Sequence, residues 1–244
     1  MPRFFVKKEK ITDNIGKISG DDARHIARSL RMAVGDIITV SDGEGNEYQA
    51  SLSKIRDEEC LFEIQSVSQS DSESPVSITL YVAYPKGDKL ETVIQKAVEL
   101  GANAIVPFES SRCIKRPPKE KLEKLTARHS KIAEEAAKQC GRSRLPSVSS
   151  VISYEEMLSE AKKSSLILFC YENENGSTLK TALEKAEGPK DIAVIIGSEG
   201  GFSPEEANAA ILAGAVSVSL GKRILRCETA PLYVLSALSY IFEL

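Results

Sequence analysis

Residues 197–202, Gly-Ser-Glu-Gly-Gly-Phe, hold one carboxylate, Glu199, among Gly197, Gly200 and Gly201, directly after the run DIAVII. Glycines adopt φ > 0 at little cost and let a ligand approach backbone N–H groups closely. A tight strand-to-helix turn accounts for one or two of them, but not for a Glu held between. Ser203-Pro204-Glu205-Glu206 follows at once and reads as a capping box with Pro at the first helical position. An acidic loop ahead of an acidic first turn repels anions, so a phosphate cradle is a poor reading. Neither GxGxxG nor GK[ST] is present. The ligand expected here is neutral or positive where it meets the loop.

A second loop, SLGKRILRCETAPL at 219–232, lies at the end of the next strand. Gly221 ends that strand, Arg223 and Arg226 flank apolar Ile224 and Leu225, and Glu228-Thr229-Ala230 precede Pro231, which suits the N1 position of a final helix. A basic loop before an N-capped helix explains part of this. Ile224 and Leu225 in a loop make more sense against a flat ring such as adenine. Loops at neighbouring strand ends are expected to wall one pocket.

The elements that must carry these loops differ between the two halves of the chain. Residues 1–70 read as a small β-rich, barrel-like domain: RFFV, then DIITVSDGEGNEYQASLSKI with a Gly-rich hairpin turn, then CLFEIQSV, interrupted by a helix over GDDARHIARSLR. The polar SQSDSESP (68–75) is the expected linker. From 76 to 244 strands and helices alternate, with Leu90, Val93, Ile94, Ala97 and Val98 on one helical face and a stop at Gly101. Such alternation means α/β architecture, a mainly parallel sheet with helices on both faces and ligands at the carboxyl ends of its strands.

The 244 residues are 42% hydrophobic and 27% charged with a net charge of −3, ordinary for a globular protein with a substantial core. Five scattered cysteines (60, 113, 140, 170, 227) form no CxxC pair, so free thiols are expected rather than a zinc site or any other metal centre. No apolar run is long enough for a membrane span, and MPRFFVKKEK lacks the features of a secretory signal, so a cytoplasmic address is expected. Charge is unevenly spread: residues 112–144 carry eleven Lys/Arg against four Glu. That local excess suits either a solvated helix or contact with nucleic acid.

IGSEGGFSPEE followed by LGKRILRCETA resembles the RsmE family of 16S ribosomal RNA uridine-N3 methyltransferases, within the SPOUT superfamily. PRFF, HIARSLRMAVGD, KGDKLETVIQKAVELG and EEAAKQCGRSRLP extend the resemblance over essentially the whole chain. Ser198 stands where the family commonly has Pro, and Cys227 precedes Glu228 where other residues occur. The resemblance implies a PUA-like RNA-binding β-barrel over 1–70 and a SPOUT α/β methyltransferase domain over 76–244 with a trefoil knot. It further implies S-adenosylmethionine as cofactor, a homodimer, and methyl transfer to N3 of a uridine near the 3′ end of 16S rRNA in the 30S subunit.

On that resemblance, the cofactor is expected against Ile196, Gly197, Gly200, Gly201, Leu220, Gly221, Ile224, Leu225, Thr229 and Ala230, with Leu168 and Cys170 of LFCY as the remaining wall. Glu199 either bonds the ribose or methionine amine, or orients the loop. Methylating N3 requires loss of the imide proton, so a base or a stabilised anion is needed. His25 lies on the first-domain helix and His129 on the basic helix, where a histidine is more often structural or solvated than catalytic. Arg226 and Arg112, together with Arg142, are candidates for stabilising the anion, and Glu228 is either the base or part of the final helix's cap. Arg24, Arg28 and Arg31, at i, i+4 and i+7, with Arg142 and Arg144, are expected RNA contacts. Rival readings are another SPOUT enzyme acting on tRNA or a ribose 2′-hydroxyl, a non-catalytic RNA-binding protein, and a Rossmann dehydrogenase, against which the missing GxGxxG counts.

Overall fold

Alternating inward side chains, Ile38 and Val40, Tyr48, Ala50 and Leu52, then Cys60 and Phe62, build a hairpin and its neighbouring strand. The computed structural model describes residues 1–174 and 176–244. One unit comprises Met1–Glu73 with Ala137–Leu145. It contains β1 (Arg3–Phe5), β2 (Ile11–Thr12), β3 (Ile15–Ser19), α1 (Asp21–Arg24), β4 (Ile37–Ser41), β5 (Asn46–Ile55) and β6 (Glu59–Gln69). The strands form one sheet in the order β1-β4-β5-β6-β3-β2, antiparallel except for β1 with β4. Its core includes Phe4, Ile18, Ile26, Ile38, Val40, Leu52 and Phe62. The DGEGN turn forms as the sequence implies: Asp42 accepts from the N–H groups of Glu44 and Asn46, and Gly43 and Gly45 have φ of +80° and +111°.

The helix expected over 20–31 is shorter and irregular. After α1 the chain widens into a π turn over His25–Ser29, with the Leu30 N–H bonded to the His25 carbonyl, and Arg31 lies beyond it at φ +51°. Arg24, Arg28 and Arg31 therefore do not share one helical face. Arg24 pairs with Asp21 and Glu58, and Arg28 with Asp57. The RNA contact expected of Arg142 also gives way. Arg142 is 4% exposed and its Nη2 donates to Glu73 at 2.6 Å, while the N–H groups of Ser143 and Arg144 donate to the same carboxylate at 3.0 Å. A guanidinium held that deeply fixes its own segment instead of reaching out to a phosphate. Arg144 is exposed, and its backbone bridges to Gly43 and Glu44.

The other unit comprises Ser74–Ala136 and Pro146–Leu244. In chain order it holds β7 (Ser77–Ala83), α2 (Lys89–Glu99), β8 (Ala104–Glu109), most of α3 (Leu122–Cys140), β9 (Ser147–Val148), β10 (Ile152–Ser153), α4 (Tyr154–Ala161), β11 (Leu166–Cys170), α5 (Leu179–Lys185), β12 (Asp191–Ile196), α6 (Pro204–Leu212), β13 (Val216–Val218) and α7 (Thr229–Phe242). Strands pair in parallel in the order β10-β8-β7-β12-β11-β13, with β9 also on β8. One face of the sheet, through Tyr81, Val106, Phe169 and Ile195, packs on Tyr154 and Met157 of α4 and Ala207 and Ala210 of α6. The intervening residues, among them Leu80, Ile105, Leu168 and Val194, are fully buried on the opposite face. Burial of both faces explains why these strands read as continuous apolar runs. Among the described residues no helix is long and apolar enough to cross a membrane.

Candidate active site

The two loops singled out in the sequence leave the carboxyl ends of β12 and β13, and β11 lies between those strands. Neighbouring strand ends were expected; instead β13 pairs with β11, and the end of β11 supplies a wall of its own. The three ends line a cavity of about 100 Å³, open to solvent. Cys170, Tyr171 and Glu172 line it from β11, Ile196, Gly197, Ser198 and Gly201 from the first loop, and Ser219, Leu220, Gly221, Arg223, Ile224, Leu225, Cys227 and Ala230 from the second.

Local chemistry explains the shape of the first loop. The Gly201 N–H donates to the Ser198 carbonyl at 3.0 Å, and Gly201 has φ +64°. A Cβ there would sit 1.9 Å from Oε1 of Glu172, and one at Gly197 would sit 3.0 Å from the Phe202 ring. Phe202 is fully buried, its ring 4.4 Å from that of Phe169 and 6.4 Å from that of Phe108. Immediately beyond it, Ser203 and Glu206 form the expected capping box with Pro204 in the first turn. Glu206 also accepts from the Ser111 N–H at 2.7 Å. The loop is thus anchored from below by an aromatic cluster and a capped helix, leaving Gly197 and Gly201 to face the cavity.

Glu199 and Gly200 turn away. Glu199 accepts from the Lys86 N–H at 3.2 Å and from Nζ of Lys89 at 2.9 Å. Such bonds would orient the loop, one of the two roles the sequence leaves open. Gly200 faces Arg112, whose carbonyl would lie 2.8 Å from a Cβ at that position, and Nη1 of Arg112 donates to the Gly200 carbonyl at 3.3 Å. Arg112 therefore braces the back of the loop and does not line the cavity.

The second loop is more open. Gly221 has φ +109°, and Ile224 is 80% exposed on the cavity rim. Helix α7 begins at Thr229 with Glu228 as its N-cap, and no side chain caps it. The N–H groups of Thr229 and Ala230 bond to the Arg226 carbonyl instead. Pro231 consequently sits in the first turn rather than at N1, a place it tolerates because that N–H needs no partner. Arg226 is exposed, and among the described residues its side chain has no hydrogen-bond or ion-pair partner. Thr229 is exposed outside the cavity lining, and Leu168 is buried within its strand.

Glu228 is not a free carboxylate. Lys89 lies 3.3 Å from it, and the Cys227 thiol donates to it at 3.2 Å. Burial works to raise the pKa of both Glu228 and Glu199, but their hydrogen bonds, those from Lys89 included, outweigh it and hold each below the ordinary carboxylate range. Both are ionised and weakly basic at neutral pH. Burial pushes the thiols of Cys170 and Cys227 up to about 12, so neither is a thiolate nucleophile there. His129 is buried, with its pKa lowered by that burial, and His25 is exposed in the other unit.

The sequence reading assigned no role to Glu172, Ser219, Arg223 or Cys227, although all four line the cavity. Glu172 has a signal, since it lies two residues past the end of β11, the strand whose LFCY is expected to wall the pocket. Lys89 had none, because its partners are more than a hundred residues away in the chain.

Comparison with known proteins agrees with this layout. A family described as the RNA methyltransferase domain matches residues 72–239, and one described as the RNA methyltransferase PUA domain matches residues 18–65. Ribosomal RNA small subunit methyltransferase E of Bacillus subtilis (strain 168) is 32% identical over 251 residues, covering 100% of this chain and 98% of its own. The structure of ribosomal RNA small subunit methyltransferase E from Neisseria gonorrhoeae bound to S-adenosyl methionine superposes with a TM-score of 0.88 at 32% identity, covering 99% and 98% of the two chains. A methyltransferase from Legionella pneumophila, in complex with the same cofactor, gives a TM-score of 0.88 at 33% identity, covering 98% and 97%. The chain belongs to the ribosomal RNA small subunit methyltransferase E family of RNA methyltransferases.

Proposed function

We propose that this protein transfers a methyl group from S-adenosylmethionine to N3 of a uridine near the 3′ end of 16S rRNA in the small ribosomal subunit. The observation that carries the reading is the cavity walled by two glycine-bearing loops, with a carboxylate and an apolar rim in its lining. These residues fit the cofactor. Glu172 offers a negative group to a cation, Leu220, Ile224 and Leu225 offer apolar surface to a purine, and Gly197 and Gly201 leave the backbone bare. When bound, the cofactor supplies an electrophilic methyl on a positively charged sulfur.

This chain's own residues do the rest. The backbone at Ile196, Gly197, Gly201, Leu220 and Leu225 binds and orients the adenosine portion. Arg226, charged and among the described residues without a hydrogen-bond or ion-pair partner, stabilises the uridine anion left when the imide proton passes to solvent water. Arg144 and the exposed Lys115, Lys119, Lys121 and Lys124 attract the RNA backbone, and the first unit serves as the RNA-binding domain. The knotted path is carried by the family resemblance. Exposed Tyr240, Ile241 and Leu244 support a homodimer, and we place the protein in the cytoplasm with the ribosome.

The test is to incubate the protein with small subunits from a strain lacking it and with methyl-labelled donor, then digest the RNA. Label in 3-methyluridine from the 3′ region of 16S rRNA is the expected result. Label in a ribose 2′-O-methyl nucleoside, or transfer to tRNA alone, would favour the rival enzyme reading.

A further inference from the structure

Between the two loops stands a cation from neither of them. Nζ of Lys89, in the first turn of α2, lies 2.9 Å from Glu199 of the first loop and 3.3 Å from Glu228 of the second. It also approaches Sγ of Cys227 at 3.8 Å, and the thiol in turn bonds to Glu228 at 3.2 Å. The Lys86 N–H adds a backbone bond to Glu199 at 3.2 Å. Lys89 is about one-third exposed and Glu199 and Glu228 about one-quarter, so these ion pairs are partly shielded from water.

We infer that Lys89 is a positioning residue that clasps the two cofactor loops together through Glu199 and Glu228. The inference rests on the proposed cofactor site and deepens it. The loops leave strands separated by β11, and the second loop carries exposed Gly221, Lys222, Arg223, Ile224 and Arg226. A loop so open has little else among its own side chains to fix it near Gly197 and Gly201. One ammonium shared by two carboxylates supplies that restraint and prevents the carboxylates from repelling each other across the cavity wall. Glu228 then acts through Lys89, holding Cys227 and Ala230 in the lining, and does not exchange a proton with substrate.

Three observables test this. Trypsin cuts after Lys222, Arg223 and Arg226 in the second loop, and after Lys162 and Lys163 following α4 in the same unit. In the cofactor-free protein, Lys89→Met should speed cleavage in the second loop by about tenfold, the scale of one charge-assisted hydrogen bond, with cleavage after Lys162 and Lys163 unchanged. Its dissociation constant for S-adenosylmethionine should rise by a similar factor, and Lys89→Arg should recover most of both. In a double-mutant cycle, Lys89→Met and Glu228→Gln should lose less together than the sum of their separate losses. Unchanged loop cleavage and cofactor affinity would overturn the clasp, as would faster cleavage at all five sites. If the wild-type chain itself binds no S-adenosylmethionine, the cofactor reading fails, while the cleavage comparison still decides whether Lys89 holds the loops.

Discussion

Gly201 and Glu172 share one small volume: a Cβ on Gly201 would lie 1.9 Å from Oε1 of Glu172, and the Gly201 backbone is left-handed at φ +64°. Any side chain there must push the carboxylate aside and strain the turn, at a backbone cost of about 1–2 kcal/mol. Gly201→Val should leave a folded protein with no S-adenosylmethionine binding measurable by calorimetry. A folded variant with wild-type affinity would remove this turn from the site.

Phe202 secures the same loop from beneath. It is fully buried against Phe169, so Phe202→Ala should cost about 3–5 kcal/mol of stability in denaturant unfolding. A loss below about 1 kcal/mol would mean that the surrounding rings collapse to fill the space.

Much of this was legible in the sequence for physical reasons. Strands buried on both faces leave apolar runs, and β7, β8, β11 and β12 were visible as such; β13, an edge strand with Val216 exposed, was visible as the run AVSVSL. The start of α6 was visible because a capping box is a local signature, and Ser203, Pro204 and Glu206 lie together in the chain. The short β9 and β10 left no periodicity to read. The separation of β12 from β13 was hidden because pairing order is a property of the whole sheet. The same applies to Arg142, whose burial depends on Glu73, 69 residues away. The π turn after α1 was invisible too, since i, i+4 and i+7 spacing presumes a regular helix.

Arg226 stands on the second loop between the lining residues Leu225 and Cys227, and the proposed function makes it the donor to the substrate anion. Arg226→Ala should lower kcat by about 10²-fold or more, the scale of losing one preorganised anion donor, with the cofactor dissociation constant little changed. Steady-state kinetics and calorimetry together check this. Equal losses in kcat and cofactor affinity would make Arg226 a cofactor residue.

Acid should weaken the first unit through Glu73. Burial works to raise its pKa, but Arg142 and the N–H groups of Ser143 and Arg144 prevail and hold it below the ordinary range. A depressed folded-state pKa means that the stabilisation is complete above the unfolded value of about 4.3 and is lost as pH falls through the folded one. Denaturant titrations from neutral pH to about pH 3 should show the wild type losing stability in that window and Glu73→Gln losing less. Arg142→Ala strands a buried carboxylate and should cost about 3–5 kcal/mol at neutral pH.

The most direct measurement is a crystal structure of this protein grown with S-adenosylmethionine. The donor should lie between the two loops, its adenine against Leu220 and Leu225 and its backbone contacts at Gly197 and Gly201. Density for the donor anywhere else, with those glycines and the exposed Ile224 left bare, would contradict the account.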